Sequence, residues 1–325
     1  MRAIVIKDKQ LELRDVPMPE PGPGQARVRI RCSAVNRADL VQRAGFYPAP
    51  PDAPADIPGL EIAGEVDAIG DGVTDVAVGD RVFGLVGGGG YAEHVVVHAR
   101  TLAKIPLVDG KEMGWKEAAA IPEAYLTAYD AVVLQAGLAA GETLLVHAAG
   151  SGVGVAAIQI ANAIGVTAIG TVRTADKAAK VEALGARAIV AKDARFADEV
   201  RALAPAGADV VLELVGGSYV AESVQAMAER GRLVLVGLLA GATTELNLGL
   251  VLRRRLRIMG TVLRARPLEE KIVAGRVLAK NLSPLVAAKK LVPVIDRTFR
   301  LEEATAAMDY VGSNQSFGKV ILEIQ

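Results

Sequence analysis

The chain has one cysteine, Cys32, in 325 residues, so no internal disulfide can brace it. Histidine is almost as scarce. His94, His98 and His147 are the whole supply, which leaves few candidates for a metal site or a histidine-based mechanism. Neither sign of charge is in excess, since 37 Lys plus Arg balance 37 Asp plus Glu. Without a positive field nothing gathers nucleic acid or an anionic membrane, and neither is expected as a partner. The one basic cluster, Arg253 to Arg255 with Arg257, lacks interleaved aromatics and reads as a solvated helix end. The N-terminus lacks the charged, apolar and small-residue regions of a signal peptide, and with a lone cysteine this predicts a cytoplasmic protein.

One stretch lacks charge altogether: Thr143 to Val172 contains no Asp, Glu, Lys or Arg. It exceeds the ~20 residues that span a bilayer. Gly150, Gly152, Gly154, Gly165 and Gly170, with His147, Gln159 and Asn162, punctuate it where strand and helix change over. A buried strand, helix and strand give the same absence of charge, and that is the expected form.

What is present is apolar: 51% hydrophobic against 23% charged residues, which excludes global disorder. The length is about twice the ~150-residue prior for a domain, so two domains are expected. Up to about Ala120, short β-rich runs (Ala3 to Ile6, Ala26 to Cys32, Glu61 to Ile69, Arg81 to Val86) alternate with proline clusters. Pro48, Pro50, Pro51, Pro54 and Pro58 mark an unusually long loop, and Gly87 to Gly90 expose a backbone that something approaches closely. After Glu123, strands and helices alternate. Thr143 to Ala148, Thr167 to Thr171, Ala188 to Val190, Asp209 to Val215 and Arg232 to Gly237 read as strands. Gly152 to Ile164, Ala175 to Leu184 and Tyr219 to Glu229 read as helices. That is the pattern of an α/β Rossmann unit, a doubly wound parallel sheet. Beyond it, Pro267 to Lys280 reads as helical, Lys290 to Phe299 as extended, Glu302 to Val311 as helical and Gly318 to Ile324 as extended. This tail rejoins the first domain, giving domains of 1–122 with 266–325 and of 123–265.

Leu144 to Ala148 runs into Ala149-Gly150-Ser151-Gly152-Val153-Gly154 and then a helix, which is the setting of a dinucleotide turn. The strict Gly-x-Gly-x-x-Gly spacing fails, because Val155 fills the third position. Shifted back one residue, Ala149, Ser151 and Gly154 fill the three places, and Gly154 is kept for packing helix on strand. An NAD site carries Asp or Glu at the end of the second strand. Here Arg173, Thr174 and Lys177 offer charge and a hydroxyl suited to a 2′-phosphate, so NADPH is expected over NADH. His94 and His98 lie in a strand, ~13 Å apart, too far to share a metal. His147 reads as a packed or backbone-bonded histidine, and Trp115 and Tyr125 as packing residues.

Asn36-Arg37-Ala38-Asp39, Gly59-Leu60-Glu61-Ile62-Ala63-Gly64, the run Ala118 to Thr127, and Ser151-Gly152-Val153-Gly154 with Gln159 carry a resemblance. Over nearly its whole length the chain resembles the zinc-free quinone oxidoreductases of the medium-chain dehydrogenase/reductase superfamily. Tyr47 to Pro51, Gly216 to Tyr219 and Arg254 to Arg266 make it similar to the damage-inducible, zeta-crystallin-like branch. The resemblance implies a GroES-like β-rich catalytic domain from both chain ends, a Rossmann domain between them, and the nicotinamide in the cleft. It assigns activity to Tyr47 and Ser151, with Asn36 a polar residue near the nicotinamide. Cofactor contacts carry over to Gly150, Ser151, Gly152, Val153, Gly154, Gly237, Leu263 and Arg264, to Lys177 on the 2′-phosphate and to Asn314 near the adenosine phosphate. Lys192 stands where the family has an assisting tyrosine. Zinc members have Cys at the place of Asn36 and His at that of Leu60, so no metal is expected. The function implied is zinc-independent transfer of hydride from NADPH to a quinone by a homodimer, paired along the apolar run Leu256 to Leu263. An enoyl thioester or alkenal double-bond reductase, or a non-catalytic NADPH-binding protein, are the alternatives.

Overall fold

In the computed structural model, which describes residues 1–324, the chain opens with a hairpin, β1 (Arg2–Lys7) and β2 (Gln10–Asp15), paired antiparallel. Its two-residue turn has both residues at positive φ, Asp8 at 49° and Lys9 at 64°, the geometry that matches strand twist. β3 (Gln25–Val35) alternates buried residues with partly or fully exposed ones as far as Arg31 and is buried on both faces from Cys32 to Val35. It delivers the chain to Asn36, which caps α1 (Arg37–Arg43). β4 (Glu61–Ile69), β5 (Arg81–Leu85), β6 (His94–His98), β7 (Ala103–Lys104) and the small hairpin β8 (Leu107–Val108) and β9 (Lys111–Glu112) follow. Then come α2 (Trp115–Ala119) and α3 (Pro122–Tyr129).

The uncharged run resolves into β10 (Thr143–Val146), α4 (Gly152–Ala163) and β11 (Thr167–Val172). No helix among the described residues is long and apolar enough to cross a membrane. The alternation continues through α5 (Ala175–Ala183), β12 (Arg187–Val190), α6 (Ala197–Leu203), β13 (Ala208–Glu213), α7 (Ser218–Ala226), β14 (Met227–Leu235), α8 (Leu248–Arg254) and β15 (Arg257–Gly260). The six strands are all parallel, in the order β12-β11-β10-β13-β14-β15, and the order reverses direction between β10 and β13. Leu145, Ile169, Phe196, Val211, Val224 and Leu233 form part of the core on this sheet. Each such side chain, fully buried, contributes about 1.5–3 kcal/mol.

The chain then returns through α9 (Leu268–Val277), α10 (Ser283–Ala287), β16 (Ile295–Arg300), α11 (Ala304–Gly312) and β17 (Lys319–Glu323). β17 pairs antiparallel with β3, so the tail completes a sheet in the order β16-β17-β3-β4-β5-β7, with β6 also on β3. Val28, Ile30, Ile62, Tyr91, Met308 and Leu322 pack its core. Two compact units result, Met1–Leu126 with the chain from Leu263 onward, and Thr127–Val262. The first is β-rich and GroES-like, the second a Rossmann unit.

Some boundaries differ from those expected. The helix expected over Tyr219 to Glu229 stops at Ala226, because β14 begins at Met227, opposite Ala208, and is kinked at Arg230, whose φ is 60°. The extended segment expected from Lys290 begins only at Ile295, and the helix from Pro267 continues through a π-helical turn into α10. The glycine run is explained by the proline loop. A Cβ on Gly87 would meet Pro50 and Ala53 at 3.0 Å, and one on Gly88 would meet carbonyls of Pro54 and Ile57 at 3.2 Å.

Candidate active site

In the Rossmann unit the turn after β10 is built by Ala148, held at φ 47°, and by Ser151, whose N–H donates to the Ala148 carbonyl at 2.8 Å. Ser151 is the N-cap of α4, and its Oγ accepts from the Gly154 N–H at 3.0 Å. A Cβ on Gly154 would stand 2.7 Å from the Ala148 oxygen and the Ala149 Cα, so only glycine lets the helix start this close to the strand. Free amides at the start of a twelve-residue helix favour an anion there.

Around this turn the structure gathers ten of the residues expected at a cofactor. Gly150, Ser151, Gly152, Val153 and Gly154 follow β10, and Arg173, Thr174 and Lys177 follow β11. Lys192 follows β12 and Gly237 follows β14, so all lie beyond the carboxyl ends of parallel strands. Arg173 and Thr174 are exposed. Thr174 donates a side-chain hydrogen bond that holds the Asp176 carboxyl below its usual range. Gly237 admits no side chain, since a Cβ would meet the Leu214 oxygen at 2.6 Å.

Beneath this rim lies a network that the sequence did not reveal. His147 is fully buried, with Nδ1 2.9 Å from Thr171 Oγ1 and Nε2 2.8 Å from Ser223 Oγ. Phe196 and Tyr219 pack on its ring. It is packed, as expected, with its backbone N–H on the Leu212 carbonyl at 3.1 Å and its ring nitrogens on side chains. Burial pulls its pKa down to about 3, so the ring is neutral. Glu213 Oε1 accepts from the N–H groups of Val215 and Gly216 at 2.8 and 2.9 Å, fixing the glycine pair after β13.

The remaining candidates belong to the β-rich unit. Asn36 is buried, and both hydrogens of its amide are committed, to Glu61 Oε1 at 2.8 Å and to the Ala34 carbonyl at 3.2 Å. Its Oδ1 accepts from the Lys319 ammonium at 2.6 Å, and the same ammonium donates to Glu61 Oε1 at 2.6 Å. Glu61 Oε2 in turn accepts from the Glu123 N–H at 2.8 Å. Asn36 therefore keeps no spare donor for an acceptor oxygen. Next to it Asp39 is wholly buried, accepting from the Asn36 and Gly59 N–H groups and from the Tyr91 hydroxyl. Burial pushes its pKa up to about 6.

Tyr47 and Arg264 are brought together. The guanidinium lies 4.9 Å from the centre of the Tyr47 ring and donates to the Tyr47 carbonyl at 3.0 Å. Its other nitrogens donate to the Gly87 carbonyl at 2.7 Å and to Gln42 Oε1 at 2.7 Å. Leu263 precedes it, buried. Asn314, held at φ 61°, accepts from Arg37 at 2.6 Å. Lys319 and Gln42 carry no motif of their own, and only their positions after the fold forms reveal them; Arg37 stands in the Asn36 to Asp39 string, but its bond to Asn314 needed the fold. Among the described residues no three His, Cys, Asp or Glu side chains are grouped to hold a metal. His94 Nε2 lies 3.2 Å from Asp67, while His98 Nδ1 accepts from the Arg100 N–H. Trp115 lies under the Arg81 guanidinium at 3.9 Å, and Tyr125 is buried.

Comparison with known proteins agrees with this layout. Residues 22–107 match the alcohol dehydrogenase GroES-like domain family and residues 152–277 the zinc-binding dehydrogenase family. The chain is 31% identical to quinone oxidoreductase of Homo sapiens over 292 residues, covering 89% of this chain and 85% of that protein. It is 30% identical to synaptic vesicle membrane protein VAT-1 homolog-like of Mus musculus over 350 residues, covering 100% and 82%. Among solved structures it is similar to an NAD-dependent alcohol dehydrogenase, with TM-score 0.86, 32% identity and full coverage of both chains. A mycobacterial protein complexed with NADPH has TM-score 0.87 and 27% identity, covering 99% of this chain and 100% of that one.

Proposed function

Because the chain belongs to the medium-chain dehydrogenase/reductase superfamily, with quinone oxidoreductases among its relatives, we propose that it is an NADPH-dependent quinone oxidoreductase that works without zinc. The observation that carries this reading is the donor set at Asn36, Leu60 and Glu61. It offers an amide, an apolar chain and a carboxylate already paired with the Lys319 ammonium. Thiolate and imidazole ligands are missing, and a cation is in place. These residues do not fit zinc. An acceptor that needs a Lewis acid is poorly served here, whereas a quinone takes up hydride readily because its product ring is aromatic.

The cofactor reading rests on this chain's own residues, since one solved relative is named for NAD and another was solved with NADPH. The amides of Gly152 and Val153 suit a pyrophosphate, with Gly150, Gly154 and Gly237 leaving room. Arg173, Thr174, Lys177 and Lys192 suit a 2′-phosphate at the ends of β11 and β12, and the resemblance assigns Asn314 a place near the adenosine phosphate. When bound, NADPH supplies the hydride. Leu263 and Arg264 keep the cofactor role that the resemblance assigns them, Arg264 through its main chain, because its guanidinium is engaged within its own unit. Tyr47 has no hydrogen-bond partner for its hydroxyl among the described residues, and burial raises its pKa, so the phenol keeps its proton. It donates that hydrogen bond to the acceptor oxygen as negative charge gathers there. Ser151 Oγ accepts from Gly154, which leaves its O–H to donate. Asn36 acts through its place in the Glu61 and Lys319 network and not as a donor.

The unpaired edge of β15 supports a homodimer, and balanced charge with a single buried thiol supports a cytoplasmic setting. Purified protein is tested with NADPH and 1,4-benzoquinone or 1,2-naphthoquinone, and in parallel with a crotonyl thioester. Rapid NADPH oxidation with the quinones, unchanged after chelator treatment, is expected. Turnover only with the thioester would defeat the reading, as would activity lost together with stoichiometric zinc.

A further inference from the structure

Arg264 is 4% exposed, yet no carboxylate among the described residues pairs with it. Its three acceptors are neutral: the Gly87 and Tyr47 carbonyls and the Gln42 amide oxygen. Cations buried in proteins are ordinarily paired, because desolvation is costly. Here three segments converge on one instead: α1, the proline loop and the glycine run. The proline loop is also held at Asp52 by Lys271 at 2.7 Å and at Ile57 by the Gly89 N–H at 2.8 Å. Only at Tyr47 is the anchor both a hydrogen bond and a charge beside an aromatic ring.

We propose that Arg264 is a positioning residue that clasps Tyr47 and supplies the unpaired positive charge that favours acceptors whose oxygen turns anionic on reduction. The inference rests on the reading of Tyr47 as hydrogen-bond donor to the acceptor. A fixed cation beside a phenol makes the phenol a stronger donor and stabilises negative charge at its tip. Three charged groups act on the Tyr47 hydroxyl: Arg264 lowers its pKa, while Glu123 and Asp39 raise it. Arg264 is the one cation among them.

The test is a double-mutant cycle of Tyr47→Phe with Arg264→Gln, read as kcat with 1,4-benzoquinone, the KM for NADPH, and the ultraviolet titration of Tyr47. That titration is isolated by subtracting the Tyr47→Phe protein. Arg264→Gln is expected to lower kcat about tenfold, to leave the KM for NADPH within about twofold, and to move the phenol titration to higher pH. In the Tyr47→Phe background the same change should cost less than about twofold, because residues that act as a unit are not additive. Full additivity, or an unmoved phenol titration, would overturn the proposal. If Tyr47→Phe alone is silent while Arg264→Gln slows turnover, the donor reading of Tyr47 fails and the clasp with it. If Tyr47→Phe slows turnover and Arg264→Gln does not, the clasp alone fails. Arg264→Lys, which keeps the charge but cannot reach three acceptors, serves where the Gln variant does not fold. It should then leave the phenol titration close to that of the wild type, and a shift to higher pH would contradict the electrostatic part.

Discussion

At the scale of the residue, the cofactor choice is carried by the first positions beyond β11. Arg173 is exposed and Lys177 half-buried there, and the Asp176 carboxylate is engaged by Thr174. A charge-assisted phosphate contact contributes roughly 1.5–3 kcal/mol. Lys177→Ala is therefore expected to weaken NADPH binding about tenfold or more and to leave NADH nearly unchanged, as measured by fluorescence titration; equal losses would remove the phosphate role. Tyr47→Phe should lower kcat by up to about 100-fold, and less for a very reactive quinone whose hydroquinone anion needs no protein donor. The residues that could be found from sequence were those within a contiguous motif. Asn36 could be found in this way, but what fixes it could not, because Lys319 is 283 positions away and meets it only after β17 joins β3.

At the scale of the element, the turn between β10 and α4 makes two demands. Ser151→Ala removes the cap and should lower stability by about 1 kcal/mol. Gly154→Val drives a side chain into the Ala148 oxygen and should cost far more, seen as a large drop in the melting midpoint. The buried His147 gives a pH signature of definite sign. Its pKa falls from 6.5 to about 3 on burial, so the unfolded chain binds the extra proton between those values. Its contribution to stability is complete above about 6.5 and is lost as pH falls toward about 3, at roughly 1.36 kcal/mol per unit. Asp39 runs the other way, stabilising below its unfolded value of 3.8 and losing that as pH rises through about 6. Comparing urea midpoints of the wild type and His147→Gln across this range isolates the histidine, whose removal should flatten the acid slope; parallel curves would show that the ring does not titrate. The strands and helices of this unit were legible because period and glycine punctuation agree from β10 to β13. The end of α7 was not, since the pairing of Met227 with Ala208 depends on a neighbour in the sheet and not on local preference.

At the scale of the whole molecule, the sequence revealed the two-part organisation through a change of rhythm, from proline-broken β runs to alternating strands and helices. The boundaries at Leu126 and Leu263 fall within a few residues of that change. The close approach at Gly87 to Gly90 was legible as a demand for glycine, but its cause, the proline loop, needed the fold. β15 ends its sheet with an unpaired edge, and the nearby α8 exposes Leu248 at 72% and Leu252 at 79%. Such an edge in a monomer invites pairing, so a dimeric mass by light scattering at micromolar concentration is expected; a monomeric mass would contradict it. The central claim concerns the acceptor and the metal together. Its most direct test is the initial rate of NADPH oxidation by 1,2-naphthoquinone in one chelator-treated preparation, set beside the rate with a crotonyl thioester. Fast quinone reduction that survives chelation and exceeds the thioester rate is the predicted result, whereas the reverse order, or a quinone rate restored only by added zinc, would contradict the account.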